Sequence, residues 1–81
     1  MYALDTRGPV QDQIDALPPG AVPEFDRLRR ALETRPWEGA PYLLEKPDSP
    51  MRTQTFGERG LVTYLILEDQ QRVDLLLVQW A

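Results

Sequence analysis

Met51-Arg52-Thr53-Gln54-Thr55-Phe56-Gly57-Glu58-Arg59-Gly60-Leu61-Val62-Thr63-Tyr64-Leu65-Ile66-Leu67 is the stretch that decides the fold. Upstream of it, apolar residues recur at spacings of three and four. From Met51 onward the period is two, which is the spacing of strands. Residues 51–56 read as a strand, with Arg52, Gln54 and Phe56 on one face and Met51, Thr53 and Thr55 on the other. Gly57-Glu58-Arg59-Gly60 reads as a turn, because glycine tolerates positive φ. Residues 61–67 are apolar on nearly both faces, which predicts a central strand. Glu68-Asp69-Gln70-Gln71 is a polar hairpin loop, and residues 73–80 form the last strand. The expectation is a three-strand antiparallel meander.

Working back toward the N-terminus, Pro36, Pro41, Pro47 and Pro50, with Gly39 and Asp48, predict a long extended loop and no helix. Trp37, Leu43 and Leu44 are too apolar for a free linker, so Trp37 and one of the two leucines should pack on the domain edge. Before the loop, Ala21, Phe25, Leu28 and Leu32 make one apolar helical stripe. Asp26 with Arg30, and Arg29 with Glu33, are spaced to form ion pairs on its other face. Val10, Ile14 and Leu17 make a shorter stripe that opens at Pro9 and closes at Pro18-Pro19-Gly20. A short turn between the helices predicts an antiparallel hairpin. Residues 2–6 alternate as an opening strand whose place in the sheet the pattern leaves open. The order is β-α-α-β-β-β: an α+β domain over residues 1–81, with an N-terminal helix hairpin packed on a small, mainly antiparallel sheet.

Composition narrows the chemistry. A chain of 81 residues supports one core. No cysteine is present, which excludes disulfides, thiolate metal sites and cysteine nucleophiles. No histidine is present either, so acid–base work would fall to carboxylates, Tyr, Lys or Arg. No phosphate loop, cofactor motif or metal-ligand spacing occurs, and no metal or cofactor is expected. The start lacks the basic and apolar regions of a signal peptide, and no apolar run approaches a membrane span, so a cytoplasmic protein without membrane contact is expected.

The element order and the motifs of residues 52–80 resemble the RelE/ParE toxin superfamily of type II toxin–antitoxin systems. They comprise an Arg on a strand, a glycine-containing turn, the strand Leu61-Val62-Thr63-Tyr64-Leu65-Ile66, an acidic loop and a Val-rich last strand. The resemblance implies a toxin that inhibits translation by ribosome-associated mRNA cleavage and is neutralised by a cognate antitoxin. It implies catalysis by Arg52, Arg59 and Tyr64, with the 2′-hydroxyl attacking its own phosphate. Lys46, Arg52, Arg72 and Trp80 would contact RNA, and Trp37, Tyr42, Leu43 and Trp80 would contact a partner protein. Two positions depart from the family pattern. Gln54 stands where a second cation is common, and the last strand closes as Val78-Gln79-Trp80-Ala81 without an Arg.

These departures, and a net charge of −4, bring in the alternative: a non-catalytic protein-interaction module on the same fold, binding gyrase, a regulator or a second copy of itself. The residues carry plainer readings too. Tyr64 shares its face with Val62 and Ile66, as a core tyrosine does. Arg52 reads equally as a solvated strand residue beside a carboxylate, and Trp80 as a plug at the end of the core. Arg59 and Lys46 read as exposed tips.

Overall fold

The computed structural model describes residues 1–81 as an α+β fold with two helices and a five-strand mixed sheet. Strand β1 is Ala3–Thr6, helix α1 Gly8–Asp15, helix α2 Val22–Thr34, and strands β2 to β5 are Ala40–Pro41, Met51–Phe56, Gly60–Leu67 and Arg72–Trp80. The strand order is β1-β5-β4-β3-β2. The meander β3-β4-β5 is antiparallel, as the period-two pattern predicts, and β1 joins β5 in parallel. No helix is long and apolar enough to cross a membrane.

Both helices lie on one sheet face. The predicted α2 stripe is the core of the contact: Ala21, Phe25, Leu28 and Leu32 are all buried, against Phe56, Val62, Tyr64, Ile66, Val73, Leu75 and Val78. Burial of each large apolar side chain contributes roughly 1.5–3 kcal/mol. Phe25 meets Phe56 edge-on at 5.4 Å, and Trp80 leans on Phe56 at 5.6 Å, so the end of the chain does plug the core. Val10 of α1 is buried in the same cluster, with Ile14 and Leu17 packed at its margin. Rather than forming a mutually packed hairpin, α1 makes its main contacts with β5, and α2 with β1 and β3. Where β1 runs out, α1 takes over the edge, and the Val78 amide donates to Gln13 Oε1 at 2.8 Å.

Three expectations need correction. Residues 36–50 are not wholly extended. Pro36–Glu38 make a 3-10 turn, and Ala40–Pro41 pair with Thr53 and Arg52 as an edge strand. Leu43 and Leu44 do not pack on the domain; Leu44 is 83% exposed. The helix ion pairs Asp26–Arg30 and Arg29–Glu33 do not form, whereas Arg27–Glu24 and Arg35–Glu38 do. In strand β5 a bulge between the pairs Thr63–Leu77 and Tyr64–Leu75 leaves Leu76 without a partner. Inward positions thus pass from Val73 and Leu75 to Val78 and Trp80.

Candidate functional site

Arg52 and Tyr64 face each other across β3 and β4, on the sheet face that the helices and the 36–50 loop cover. Arg52 is 9% exposed. Its Nε donates to Ser49 O at 3.0 Å, its Nη1 to Gly39 O at 2.9 Å and Trp37 O at 3.3 Å, and its Nη2 to Pro47 O at 2.7 Å. The Trp37 ring lies 4.9 Å from the guanidinium carbon. No carboxylate pairs with it; the cation is solvated by loop carbonyl dipoles and an aromatic face. The reading of Arg52 as a solvated residue beside an acid is therefore replaced: it ties the loop to the sheet. Tyr64 has no exposed surface. Its hydroxyl donates to Pro36 O at 2.6 Å and accepts from Gln54 Nε2 at 3.2 Å. Burial pushes the Tyr64 phenol above its usual range, so it holds its proton more firmly than a free tyrosine. Gly39 completes the joint, because a Cβ there would collide with the Tyr64 hydroxyl and come within 2.8 Å of Thr53 O.

Arg59 lies away from this pair. It sits exposed in the turn after Gly57, whose φ of 60° is the left-handed conformation expected of a turn glycine. Tyr64 is five residues further along the strand, roughly 17 Å at the rise of a β-strand. The three residues assigned to catalysis are thus not brought to one surface. Arg59 instead lines the largest cleft, about 530 Å³, with Glu24, Glu58, Gly20, Gly57 and Trp80. Two carboxylates beside one guanidinium give that cleft no excess of positive charge for a phosphate. Of the other residues assigned to RNA, Lys46 is exposed on the loop, and Arg72 is committed to Asp74 at 2.8 Å.

At the opposite end of the sheet, sequence reasoning missed a hub centred on Glu68. Trp37 Nε1 donates to Glu68 Oε1 at 2.8 Å and the Tyr2 hydroxyl to the same oxygen at 2.7 Å, while Gln71 Nε2 donates to Oε2 at 2.7 Å. The bond from Trp37, then those from Tyr2 and Gln71, hold the Glu68 carboxyl below its ordinary value. The bond to Glu68 raises the Tyr2 phenol above its own. The hub joins the N-terminus, the long loop and the β4–β5 connection. Nothing in a polar loop sequence marks it.

The other sheet face carries no helix. Cross-strand pairing arranges its side chains in rows: Ala3, Arg72 and Leu67; then Asp5, Asp74, Leu65 and Met51; then Leu77, Thr63, Thr53 and Ala40; then Gln79, Leu61 and Thr55. An uncovered antiparallel face ordinarily alternates to polar residues. Here three leucines surround the buried Thr63, Leu61 and Leu65 half-buried and Leu77 36% exposed, with Leu76 on the bulge 41% exposed. The only cation on it is Arg72, paired with Asp74, which is itself 7% exposed. Tyr42 and Leu43, assigned to partner contact, are exposed on the loop, whereas Trp37 is held by Glu68 and Arg52 and Trp80 by Phe56. Comparisons with protein-family models, with curated proteins and with solved structures returned no match.

Proposed function

We propose that this chain is a RelE/ParE-like domain that acts by binding protein rather than by cutting RNA. The observation that carries the reading is the outer sheet face: Leu61, Leu65 and Leu77 ring Thr63 on a surface free of helices and without an unpaired cation. A surface that binds RNA needs cations to displace phosphate counterions. A surface that binds protein offers apolar contact area with polar groups around it, and Leu61, Leu65 and Leu77 close over the buried Thr63 with Thr55, Gln79 and Asp5 at the margin. The internal bonding of Arg52 and Tyr64 supports the same reading, because neither side chain is presented to solvent. The family resemblance supplies a partner class, an antitoxin or a regulated target, that such a module would engage.

The test pairs a binding assay with a cleavage assay. Purified protein added to translating ribosomes should leave mRNA intact. Any effect of its expression on growth should be lost in Leu65→Lys and Leu77→Lys and kept in Arg59→Ala. Cleavage of ribosome-bound mRNA that disappears in a folded Arg59→Ala protein would contradict the reading.

A further inference from the structure

We infer that the cleft between the start of α2 and the β3–β4 turn receives an arginine side chain of the protein partner; the inference deepens the protein-binding reading above and rests on it. The cleft is the largest on the molecule, about 530 Å³, and both layers of the fold build it. Gly20 and Glu24 come from the entry to α2, Glu58 and Arg59 from the turn, and Trp80 from the end of β5. The turn is pinned in place: Gly57 takes a φ of 60°, and Arg59 O accepts from the Ala81 amide at 3.0 Å. Phe56 braces the Trp80 ring at 5.6 Å. The walls are therefore set before a ligand arrives, which lowers the cost of binding one.

The lining selects the occupant by its chemistry. Its only large apolar group is an indole, and Glu24 and Glu58 outweigh Arg59 in charge. An aromatic wall beside a carboxylate attracts a cation, and the same carboxylates repel a phosphate. Glu58 is the free acid: the ion pairs of the fold are Arg27–Glu24, Arg35–Glu38 and Arg72–Asp74, and none uses it. Arg27 holds one oxygen of Glu24 at 2.8 Å and leaves the other. Glycine at position 57 keeps the ring within reach. A Cβ there would lie 3.4 Å from Cη2 and Cζ3 of Trp80 and 3.7 Å from Cγ of Glu24, so indole and acid converge on space that a side chain would fill. A guanidinium is planar and weakly hydrated; it can lie on an indole while its fork meets a carboxylate, which an ammonium cannot do. Arg59 opposes the incoming charge, so a single arginine residue should bind modestly, with a Kd of roughly 1–10 mM.

Titration of the full chain with N-acetyl-arginine amide, followed by NMR through the indole N–H resonances of Trp37 and Trp80, tests this directly. The Trp80 signal should shift saturably, while that of Trp37, bonded to Glu68, should stay in place. N-acetyl-citrulline amide has the same shape without the charge and should move neither. The lysine counterpart should bind roughly threefold more weakly or worse. Glu58→Gln should weaken the arginine probe by roughly fivefold or more, and Arg59→Ala, which removes the opposing charge, should tighten it about twofold. Gly57→Asn suits the left-handed backbone and fills the slot, so it should abolish the shift. Should that variant unfold, Glu58→Gln, on the exposed turn, carries the test alone. A Trp80 resonance that stays still up to about 50 mM probe overturns the inference. So does citrulline or lysine binding as tightly as arginine, or arginine binding that Glu58→Gln leaves unchanged. The protein-binding reading fails separately, through RNA cleavage or through growth effects indifferent to Leu65→Lys and Leu77→Lys.

Discussion

Arg52 shows how a residue type can suggest one chemistry and a neighbourhood impose another. An arginine on a strand suggests a bidentate contact to a phosphate. In three dimensions its guanidinium reaches four carbonyls of the Trp37–Ser49 segment and lies against the Trp37 ring. No sequence signal announces backbone acceptors, which is why this role was not legible. Tyr64 was legible, since Val62 and Ile66 at its two-residue neighbours mark an inward face. A structural Arg52 leads to a definite expectation. Lysine offers one ammonium where the site uses a fork, so Arg52→Lys should lower unfolding free energy by about 2–4 kcal/mol, measured by urea denaturation. A catalytic Arg52 on an exposed face would leave stability nearly unchanged.

Glu68 is the residue whose protonation should be felt. Its folded-state value lies below the ordinary one, so its bonds stabilise the fold in full above the ordinary carboxylate range. They are lost as pH falls through the lowered value. Tyr2 runs the other way: its phenol is raised, so its contribution is intact below the ordinary 10.0 and is lost as pH rises through the raised value. Acidification should therefore shift the indole Nε1–H resonance of Trp37, measured by NMR, with a midpoint below the ordinary carboxylate value. Glu68→Gln, which does not titrate, should abolish that shift.

At the scale of elements, the helices were legible because their stripes are local. Ala21, Phe25, Leu28 and Leu32 are spaced to share a face, and all four are buried. The partner of β1 was not legible, because a parallel pairing joins residues about seventy positions apart and depends on the whole sheet. The two-residue strand β2 is too short to leave a period. The bulge at Leu76 was hidden inside Leu75-Leu76-Leu77, where every residue is apolar and the alternation carries no information. The bulge gives a prediction that separates register from composition. Deleting one leucine from that run removes the unpaired residue and keeps Val73, Leu75, Val78 and Trp80 inward, so the fold should persist with a loss of about 1–2 kcal/mol. Deleting Gln79 turns Trp80 to the outer face and strips it from Phe56. That change should cost about 3 kcal/mol or more, on the scale of an aromatic lost from a core. Thermal unfolding of the two deletions makes the comparison.

For the molecule as a whole, the two sheet faces divide the work. One is packed by α1, α2 and the anchored loop, and it takes up Arg52 and Tyr64. The other holds Leu61, Leu65 and Leu77 around Thr63, beside an internally neutralised Arg72–Asp74 pair. Strand β4 explains the division: its sequence is apolar on both sides, as a central strand's is, yet helices cover only its Val62, Tyr64 and Ile66 side. Leu61 and Leu65 are the complement of that pattern, and they are what the period-two reading predicts and the isolated domain leaves uncovered. The clearest test is the accessibility of individual leucine methyls of the dilute protein to a soluble paramagnetic probe in NMR. Leu77 should be open to the probe, as Leu44 is, while Leu28 and Leu32 stay shielded. If the Leu77 methyls are as shielded as those of Leu32, the outer face is not the uncovered surface on which the protein-binding reading rests.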